Sequence, residues 1–275
     1  MSEQLRSVER AADLLSALAQ AGLPLGVREL AARLDVSKSS VHRILVSLRS
    51  RGFVEEDPVT GRYRLGLRAM EVGVAVLDQL EPYGACKRYL EELLRQTNET
   101  VNLALLDEED GQVVYLAKLE PPQSIRINTR LGARRPAHCT ALGKAILSEM
   151  PPAKAESLLR LRPLQRLTER SVVEVDWLLR HLAECRERGY AVDDEEFEEG
   201  IICVGAPVRG RDGQATMAMS VSAPRFRTPP ERVAQLGAMV RATALAASRR
   251  FGFLISTPQA GISERGTPFP PGKPT

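Results

Sequence analysis

The chain has 275 residues, of which 43% are hydrophobic and 27% are charged, and its formal net charge is +3. This length and apolar content allow a large core and suggest two domains. The small net charge excludes a protein whose whole surface is positively charged. Any positively charged surface that binds nucleic acid must therefore be confined to one region of the chain. Because the chain shows no membrane-length apolar run, secretory signal pattern or closely spaced cysteines, we expect a cytoplasmic protein without membrane contact.

The first elements in chain order predict a helix-turn-helix. Residues 1–22 contain an apolar stripe at helical spacing, and residues 26–34 contain a shorter stripe of the same kind. Residues 35–36 provide a turn, and Ser37 occupies the N-cap position of a third helix over residues 38–51. Two short helices joined in this way place the last one in a major groove of DNA.

The opening turn of that last helix carries hydroxyl, cationic and imidazole groups, which reach phosphates and base edges. Six basic residues and only two acidic residues lie between Gly26 and Gly52, which makes this stretch locally positive. Residues 53–65 predict a two-stranded wing whose tip can touch the sugar-phosphate backbone. The candidate DNA-binding residues are Ser37, Lys38, Ser39, Ser40, His42, Arg43, Thr60 and Arg62. A winged helix that contacts protein instead of DNA is the alternative.

The composition changes after the wing and suggests where the domains end. Residues 67–80 form a helical stretch rich in small and apolar residues, and Glu81-Pro82 is a candidate boundary. We therefore expect a winged helix over residues 1–66, a linker and dimerisation helix over 67–81, and a second domain over 82–254. The Pro- and Gly-rich residues 255–275 predict a disordered tail.

Strand and helix patterns both occur in the second domain, and they predict an antiparallel sheet with helices on its faces, an α+β fold. The predicted strands are 101–106, 113–119, 125–129, 190–193, 202–208 and 215–223. The predicted helices are 82–98, 139–149, 152–161, 172–188 and 229–251. Residues 132–136 are predicted to be a loop.

Several motifs follow one another in an order that resembles the IclR family of bacterial transcriptional regulators. They are SVERAADLL, LDVSKSSVHRIL, GRYRLG, HCTALGKAIL and GYAVDDEEFEEGIICVGAPVRGRDG, and together with MSVSAP they extend over about residues 5–251. The resemblance implies an N-terminal winged helix and a C-terminal effector domain of GAF-like fold. It also implies a homodimer or dimer of dimers, palindrome-like operator DNA, and a small organic acid or aromatic metabolite as effector.

The resemblance also implies which residues bind the effector. The family's helix-opening turn, acidic residue, apolar and thiol positions and paired hydroxyls fall on Ala141, Leu142, Asp193, Ile201, Cys203, Ser220 and Ser222. Physical chemistry agrees in part, because residues two apart on a strand share a face and a helix N-terminus favours an anionic oxygen. We therefore expect a carboxylate or aromatic acid, in a pocket that the bulk of Leu142 narrows.

Other chemistries are disfavoured, and we expect no catalytic activity, cofactor or metal site. His138 and Cys139 suggest a Cys-dependent hydrolase, but adjacent residues rarely present their side chains to each other. His181 and Cys185 are spaced like half a metal site, without a second pair. The acidic run of residues 193–199 is more typical of a solvated loop than of a cation site.

Overall fold

The computed structural model describes residues 5–79, 81–122 and 130–253. The chain forms two compact units, Met1–Glu81 and Pro82–Thr275. The first unit contains α1 (Arg6–Ala21), α2 (Val27–Leu34), α3 (Lys38–Ser50), β1 (Val54–Glu56), β2 (Tyr63–Leu65) and α4 (Leu67–Gln79). Helix-turn-helix and wing are thus both present. In the described residues no helix is long and apolar enough to cross a membrane.

The core of the first unit is built by one apolar face from each of its first three helices. Leu14, Leu30 and Leu45, from α1, α2 and α3, are fully buried against each other. Tyr63 of the wing joins this core, and its backbone pairs with Leu25 through N–H···O bonds of 2.8 and 2.9 Å. This bridge attaches the wing to the segment before α2.

Helix α4 differs from the other helices of this unit because its large apolar side chains are not covered. Its described part exposes Leu67, Met70, Val72, Val74 and Val76. Leu67, Met70 and Val74 recur at helical spacing and share one face, and an exposed apolar face of this kind is typical of a region that another chain covers.

The second unit is an α+β domain, as predicted. It contains α5 (Glu81–Thr97), β3 (Thr100–Asp107), β4 (Gln112–Leu119), β5 (Arg134–Pro136), α6 (Ala141–Glu149), α7 (Pro152–Leu159), α8 (Val175–Arg188), β6 (Ala191–Asp194), β7 (Ile201–Arg209), β8 (Ala215–Pro224) and α9 (Pro230–Arg250). The strands form one antiparallel sheet in the order β5-β4-β3-β8-β7-β6.

Helices cover the side of this sheet formed by β8, β7 and β6. α6 packs on β6, β7 and β8, and its buried side chains share a core with α7 and α8. α9 also packs on β7 and β8, but its buried residues lie outside that core. Since successive side chains of a strand point to opposite faces, β7 and β8 can serve both helices. The α6 face carries the residues described below.

The loop predicted over residues 132–136 is wrong, because Arg134–Pro136 forms the edge strand β5 and pairs with β4. Its Arg-Arg-Pro sequence has no apolar alternation, and proline is tolerated at a sheet edge. The strand predicted over 125–129 and the tail over 255–275 lie outside the described residues.

The helices predicted to start at residues 139 and 172 begin later than expected. The first starts at Ala141, because the Thr140 hydroxyl accepts the backbone N–H of Gly143 at 3.2 Å and so caps the helix. Ala137–Cys139 is a 3₁₀ turn. The second starts at Val175.

Candidate functional site

Three exposed side chains at the start of α3 form the candidate DNA-binding surface. Lys38, His42 and Arg43 are exposed, and within the described part of the chain they make no hydrogen bond or ion pair. Their charges therefore remain available to an external partner. An Arg or Lys near a helix N-terminus that enters the major groove can contact guanine or phosphate.

The serines beside them have a local structural role. The Ser37 hydroxyl accepts the backbone N–H of Ser40 at 3.3 Å, which caps α3. It also donates to the Ser40 hydroxyl at 2.9 Å and lies 3.0 Å from the Ser39 hydroxyl. The three predicted serines are thus brought together, with Ser37 and Ser40 partly committed to starting the helix.

The wing places Arg62 differently from what the sequence suggested. Its Nε donates to the Pro24 carbonyl at 2.9 Å, and its Nη2 donates to both carboxylate oxygens of Glu29 at 2.6 and 2.9 Å. The hydrogen bond from the Gly26 N–H lowers the pKa of the Glu29 carboxyl below its ordinary value, and the hydrogen bond from the Arg62 guanidinium contributes a smaller effect in the same direction. Arg62 therefore ties the wing to α2. Thr60 lies exposed near the wing tip, where its N–H donates to Asp57 at 2.9 Å.

A small cavity of about 20 Å³ lies on the α6 face of the second unit. The structure brings all seven predicted effector residues to its wall, together with Thr140 of the predicted helix-opening turn and three residues that were not predicted to bind the effector. The lining residues are Tyr115, Thr140, Ala141, Leu142, Asp193, Phe197, Glu198, Ile201, Cys203, Ser220 and Ser222. This volume admits a water-sized group, so a larger ligand requires the wall to move.

Two glycines allow α6 to begin close to its neighbours. A Cβ at Gly143 would lie 2.3 Å from backbone atoms of Ala137, and a Cβ at Gly205 would lie 2.8 Å from the Ala141 carbonyl oxygen. Both distances are shorter than any normal contact. The helix therefore starts directly against the 3₁₀ turn and β7, which places its first residues at the cavity.

A buried charge cluster supports one side of the cavity. The Lys144 ammonium, which is fully buried, donates to the Glu196 carboxylate at 2.8 Å and to the Val192 carbonyl at 2.5 Å. Asp193 Oδ1 accepts the N–H groups of Glu196 and Phe197 at 2.7 and 3.2 Å. These bonds hold the turn that follows β6, from which Phe197 and Glu198 reach the cavity.

Burial and neighbouring charge shift the titration of two groups in this cluster. Burial, reinforced by the charge of Glu196, raises the pKa of Asp193 to about 7, although Lys144 acts in the opposite direction. Burial by itself would lower the pKa of Lys144, but the carboxylates of Glu196 and Asp193 outweigh it and hold that pKa above its ordinary value. Lys144 is thus charged, and Asp193 titrates near neutral pH.

The opposite side of the cavity is a wall of neutral polar groups. The Ser222 hydroxyl accepts the Asn102 amide at 3.2 Å and lies 3.1 Å from Cys203 Sγ. Burial raises the pKa of the Cys203 thiol well above its ordinary value, so the thiol stays neutral. Asn102 was missed from the sequence, although a polar residue within an apolar strand is a usable signal. It lies opposite Ser220 in the β3–β8 register.

The geometry does not form the catalytic pair that His138 and Cys139 suggested. His138 Nε2 lies 3.1 Å from the Gln165 carbonyl, and Cys139 Sγ donates to the Pro136 carbonyl at 3.8 Å. Burial raises the pKa of Cys139 and lowers that of His138, so a thiolate–imidazolium pair is disfavoured.

The metal and cation alternatives also find no geometric basis. His181 stacks on Trp177 at 4.9 Å between ring centroids, and Cys185 is buried. No group of three or more candidate metal ligands occurs in the described residues. In the acidic run, Asp194 forms ion pairs with Arg170 at 2.8 Å and Arg225 at 3.1 Å.

A winged helix-turn-helix unit, followed by a sheet domain with a polar cavity, defines a class of protein: the ligand-responsive transcriptional regulators. The comparisons with known proteins identify the family within this class. The IclR helix-turn-helix domain matches residues 7–58, and the bacterial transcriptional regulator IclR C-terminal domain matches residues 74–249. The chain belongs to the IclR family, whose members are DNA-binding transcriptional regulators with a C-terminal effector-binding domain and are not enzymes. This confirms the resemblance seen in the motifs.

Individual relatives resemble the chain along most of its length. The HTH-type transcriptional regulator XynR of Escherichia coli is 31% identical over 249 residues, which is 90% of this chain and 98% of XynR. The crystal structure of Thermotoga maritima IclR is 30% identical with a TM-score of 0.71, covering 91% of this chain and 100% of its own. An IclR homologue from Microbacterium hydrocarbonoxydans, solved with 4-hydroxybenzoate, has a TM-score of 0.76 at 21% identity, covering 89% and 98%, and shares the fold.

Proposed function

We propose that the protein binds operator DNA through the start of α3, and that a small organic acid in the cavity controls its DNA affinity. The exposure of Lys38, His42 and Arg43 is the observation that carries the DNA-binding part, because these groups lack a partner within the described chain. Lys38 and Arg43 would contact phosphate or guanine, and His42 with Ser39 would tune base choice.

The wing would add contacts to the sugar-phosphate backbone. Thr60 is exposed near the tip of the wing. Arg62 donates through Nε to Pro24 and through Nη2 to Glu29. A guanidinium has five N–H donors, so Arg62 can hold Glu29 and still approach a phosphate. Ser37 and Ser40 would position the start of α3 and would also contact the sugar-phosphate backbone of the DNA.

Two copies of the chain would bind one operator. The exposed apolar side chains of α4 provide a surface that a second copy can cover. A two-fold dimer places its recognition helices in successive major grooves, about 34 Å apart. Dimers of dimers would follow from further contacts of the same chain. A cytoplasmic location fits this role, since the operator is chromosomal DNA.

The effector would be a carboxylate or an aromatic acid held by the seven residues that the sequence indicated. The cavity offers hydroxyl and thiol groups of the sheet and the backbone at the start of α6. The N-terminus of a helix favours an anionic oxygen. A homologue of the same fold binds 4-hydroxybenzoate. The ligand would change DNA affinity only as far as it distinguishes two dimer geometries.

Replacing Arg43 tests the DNA-binding part. Arg43→Ala is expected to weaken binding to the promoter of the protein's own gene by about 1–3 kcal/mol, in a fluorescence anisotropy titration at fixed salt. Arg162→Ala, which changes an exposed arginine in the second unit, is the matched control and should bind like wild type.

Binding of Arg43→Ala with wild-type affinity would refute the assignment of α3 as the recognition helix. Absence of salt-dependent DNA binding in the wild type would favour the alternative in which the winged helix contacts protein, because phosphate contacts impose a steep salt dependence.

A further inference from the structure

The charge of the ligand cavity is unusual for a site that takes an acid. Among its eleven lining residues, two carry carboxyl groups, Asp193 and Glu198, and none is Lys, Arg or His. The nearest buried cation, Lys144, already contacts the Glu196 carboxylate at 2.8 Å. A carboxylate ligand therefore meets acidic side chains. The partial positive charge of the α6 N-terminus offsets them in part, as does half-buried Arg135, whose guanidinium lies 5.1 Å from the Phe197 ring centroid.

We propose that a small monocarboxylate enters this cavity together with one proton, which resides on Asp193 and lets that side chain donate a hydrogen bond to the ligand. This inference rests on the proposed function of the cavity and goes beyond it by stating the charge balance of binding. The balanced step is protein plus ligand carboxylate plus one proton from solvent, giving a complex in which Asp193 is neutral and the ligand keeps its single negative charge. No covalent bond is made or broken.

The groups around Asp193 show why the proton is needed. Those facing it from the packed elements are Lys144 of α6, Glu196 and Glu198 of the following turn, Cys203 of β7, Cys139 of the 3₁₀ turn and Tyr115 of β4. Lys144 balances one carboxylate, that of Glu196. Arg135 of β5, half-buried beside Tyr115 and Phe197, is the other cation at this cavity among the described residues. An ionised Asp193 and an ionised ligand would then share this one half-buried cation, which leaves a negative charge uncompensated in a buried site and is unfavourable.

The hydrogen bonds of Asp193 leave room for this proton. Its Oδ1 accepts both backbone N–H groups, those of Glu196 and Phe197. Protonation can therefore occur on Oδ2 without loss of the turn that these bonds hold. Because burial raises the pKa of Asp193 to about 7, the proton can be taken up near neutral pH.

The proposal can be tested by calorimetry with propionate and 4-hydroxybenzoate as probes and their amides as neutral counterparts. For the full-length protein, carboxylate affinity should be nearly constant below pH 6 and should fall increasingly steeply above pH 7, by about eightfold between pH 7.5 and 8.5. Titrations at pH 8 in phosphate and in Tris should report an uptake of close to one proton per ligand.

Two variants locate the proton. Asp193→Asn keeps an oxygen for the turn and an N–H₂ group for the ligand, so its affinity should change less than about twofold between pH 7.5 and 8.5. Glu198→Gln removes the other lining carboxyl group and should retain the roughly eightfold fall of the wild type. If Asp193→Asn does not fold, the proton count of the wild type decides alone.

Several results would overturn the proposal: affinity independent of pH, no proton uptake at pH 8, the full pH dependence in Asp193→Asn, or no carboxylate binding between pH 6 and 8.5. The proposed function fails separately. If the amides bind and shift operator affinity while the carboxylates do not bind, effector control stands and only the proton-linked carboxylate is refuted.

Discussion

The start of α3 and the cavity of the second unit are both polar sites, but they are built in opposite ways. Lys38 and Arg43 are exposed and have no internal partner among the described residues, whereas Lys144 and Asp193 are buried and hydrogen-bonded to neighbouring residues. In the first site Lys38 and Arg43 act independently of other residues, so their substitution should change binding alone. In the second site the residues form a network, so a substitution should change folding as well as binding.

The largest expected effect in this comparison comes from Lys144→Met. It removes the charge that balances the buried Glu196 carboxylate, and breaking a buried pair in this way costs about 3–5 kcal/mol. Urea unfolding followed by circular dichroism should show this loss in the free energy of unfolding. Lys154→Met is the matched control, because its pair with Glu108 at 2.7 Å is solvent-exposed and contributes at most about 1 kcal/mol.

Equal losses in the two lysine variants would contradict the picture of a buried network around the cavity. A loss confined to Lys144→Met would support it.

The two cavity serines should separate stability from ligand binding. Ser222→Ala leaves the buried Asn102 amide without its acceptor and should lower the free energy of unfolding by about 1–3 kcal/mol. The Ser220 hydroxyl makes no hydrogen bond within the described chain, so Ser220→Ala should cost less. Both variants should bind 4-hydroxybenzoate more weakly. If Ser220→Ala loses as much unfolding free energy as Ser222→Ala, the Asn102–Ser222 hydrogen bond does not make the contribution to stability expected here.

The same contrast explains what the sequence could predict. Helices, most strands and the Ser37 cap follow from local patterns, and so does the exposed positive turn of α3. The pairs Arg62–Glu29 and Lys144–Glu196 join residues that are 33 and 52 positions apart in the sequence. No local sequence pattern predicts such pairs. The short edge strand Arg134–Pro136 also gave no pattern of its own. The cavity residues came from family resemblance, whereas Asn102 required the register of β3 and β8.

The N-cap of α3 should show an intermediate effect, which tests whether the exposed site is as independent as it looks. Ser37→Ala removes the acceptor for the Ser40 N–H and should cost about 1 kcal/mol of stability. Ser39→Ala leaves that cap intact and should unfold like wild type while it changes operator preference. Hydrogen exchange of backbone amides in the first unit would measure the free energy of unfolding of both variants. A wild-type stability for Ser37→Ala would show that the cap is dispensable.

Arg62→Ala should have the smallest effect on stability, because its ion pair with Glu29 is largely exposed, with side-chain exposures of 40% and 47%. Its effect on DNA binding separates two roles. If Arg62 also contacts a phosphate, Arg62→Ala should reduce the slope of log affinity against log salt by about one. Glu29→Gln breaks the same ion pair but keeps the arginine charge, so its slope should equal that of wild type. An unchanged slope in Arg62→Ala would restrict Arg62 to holding the wing against α2, and the exposed site would then depend on α3 and Thr60 alone.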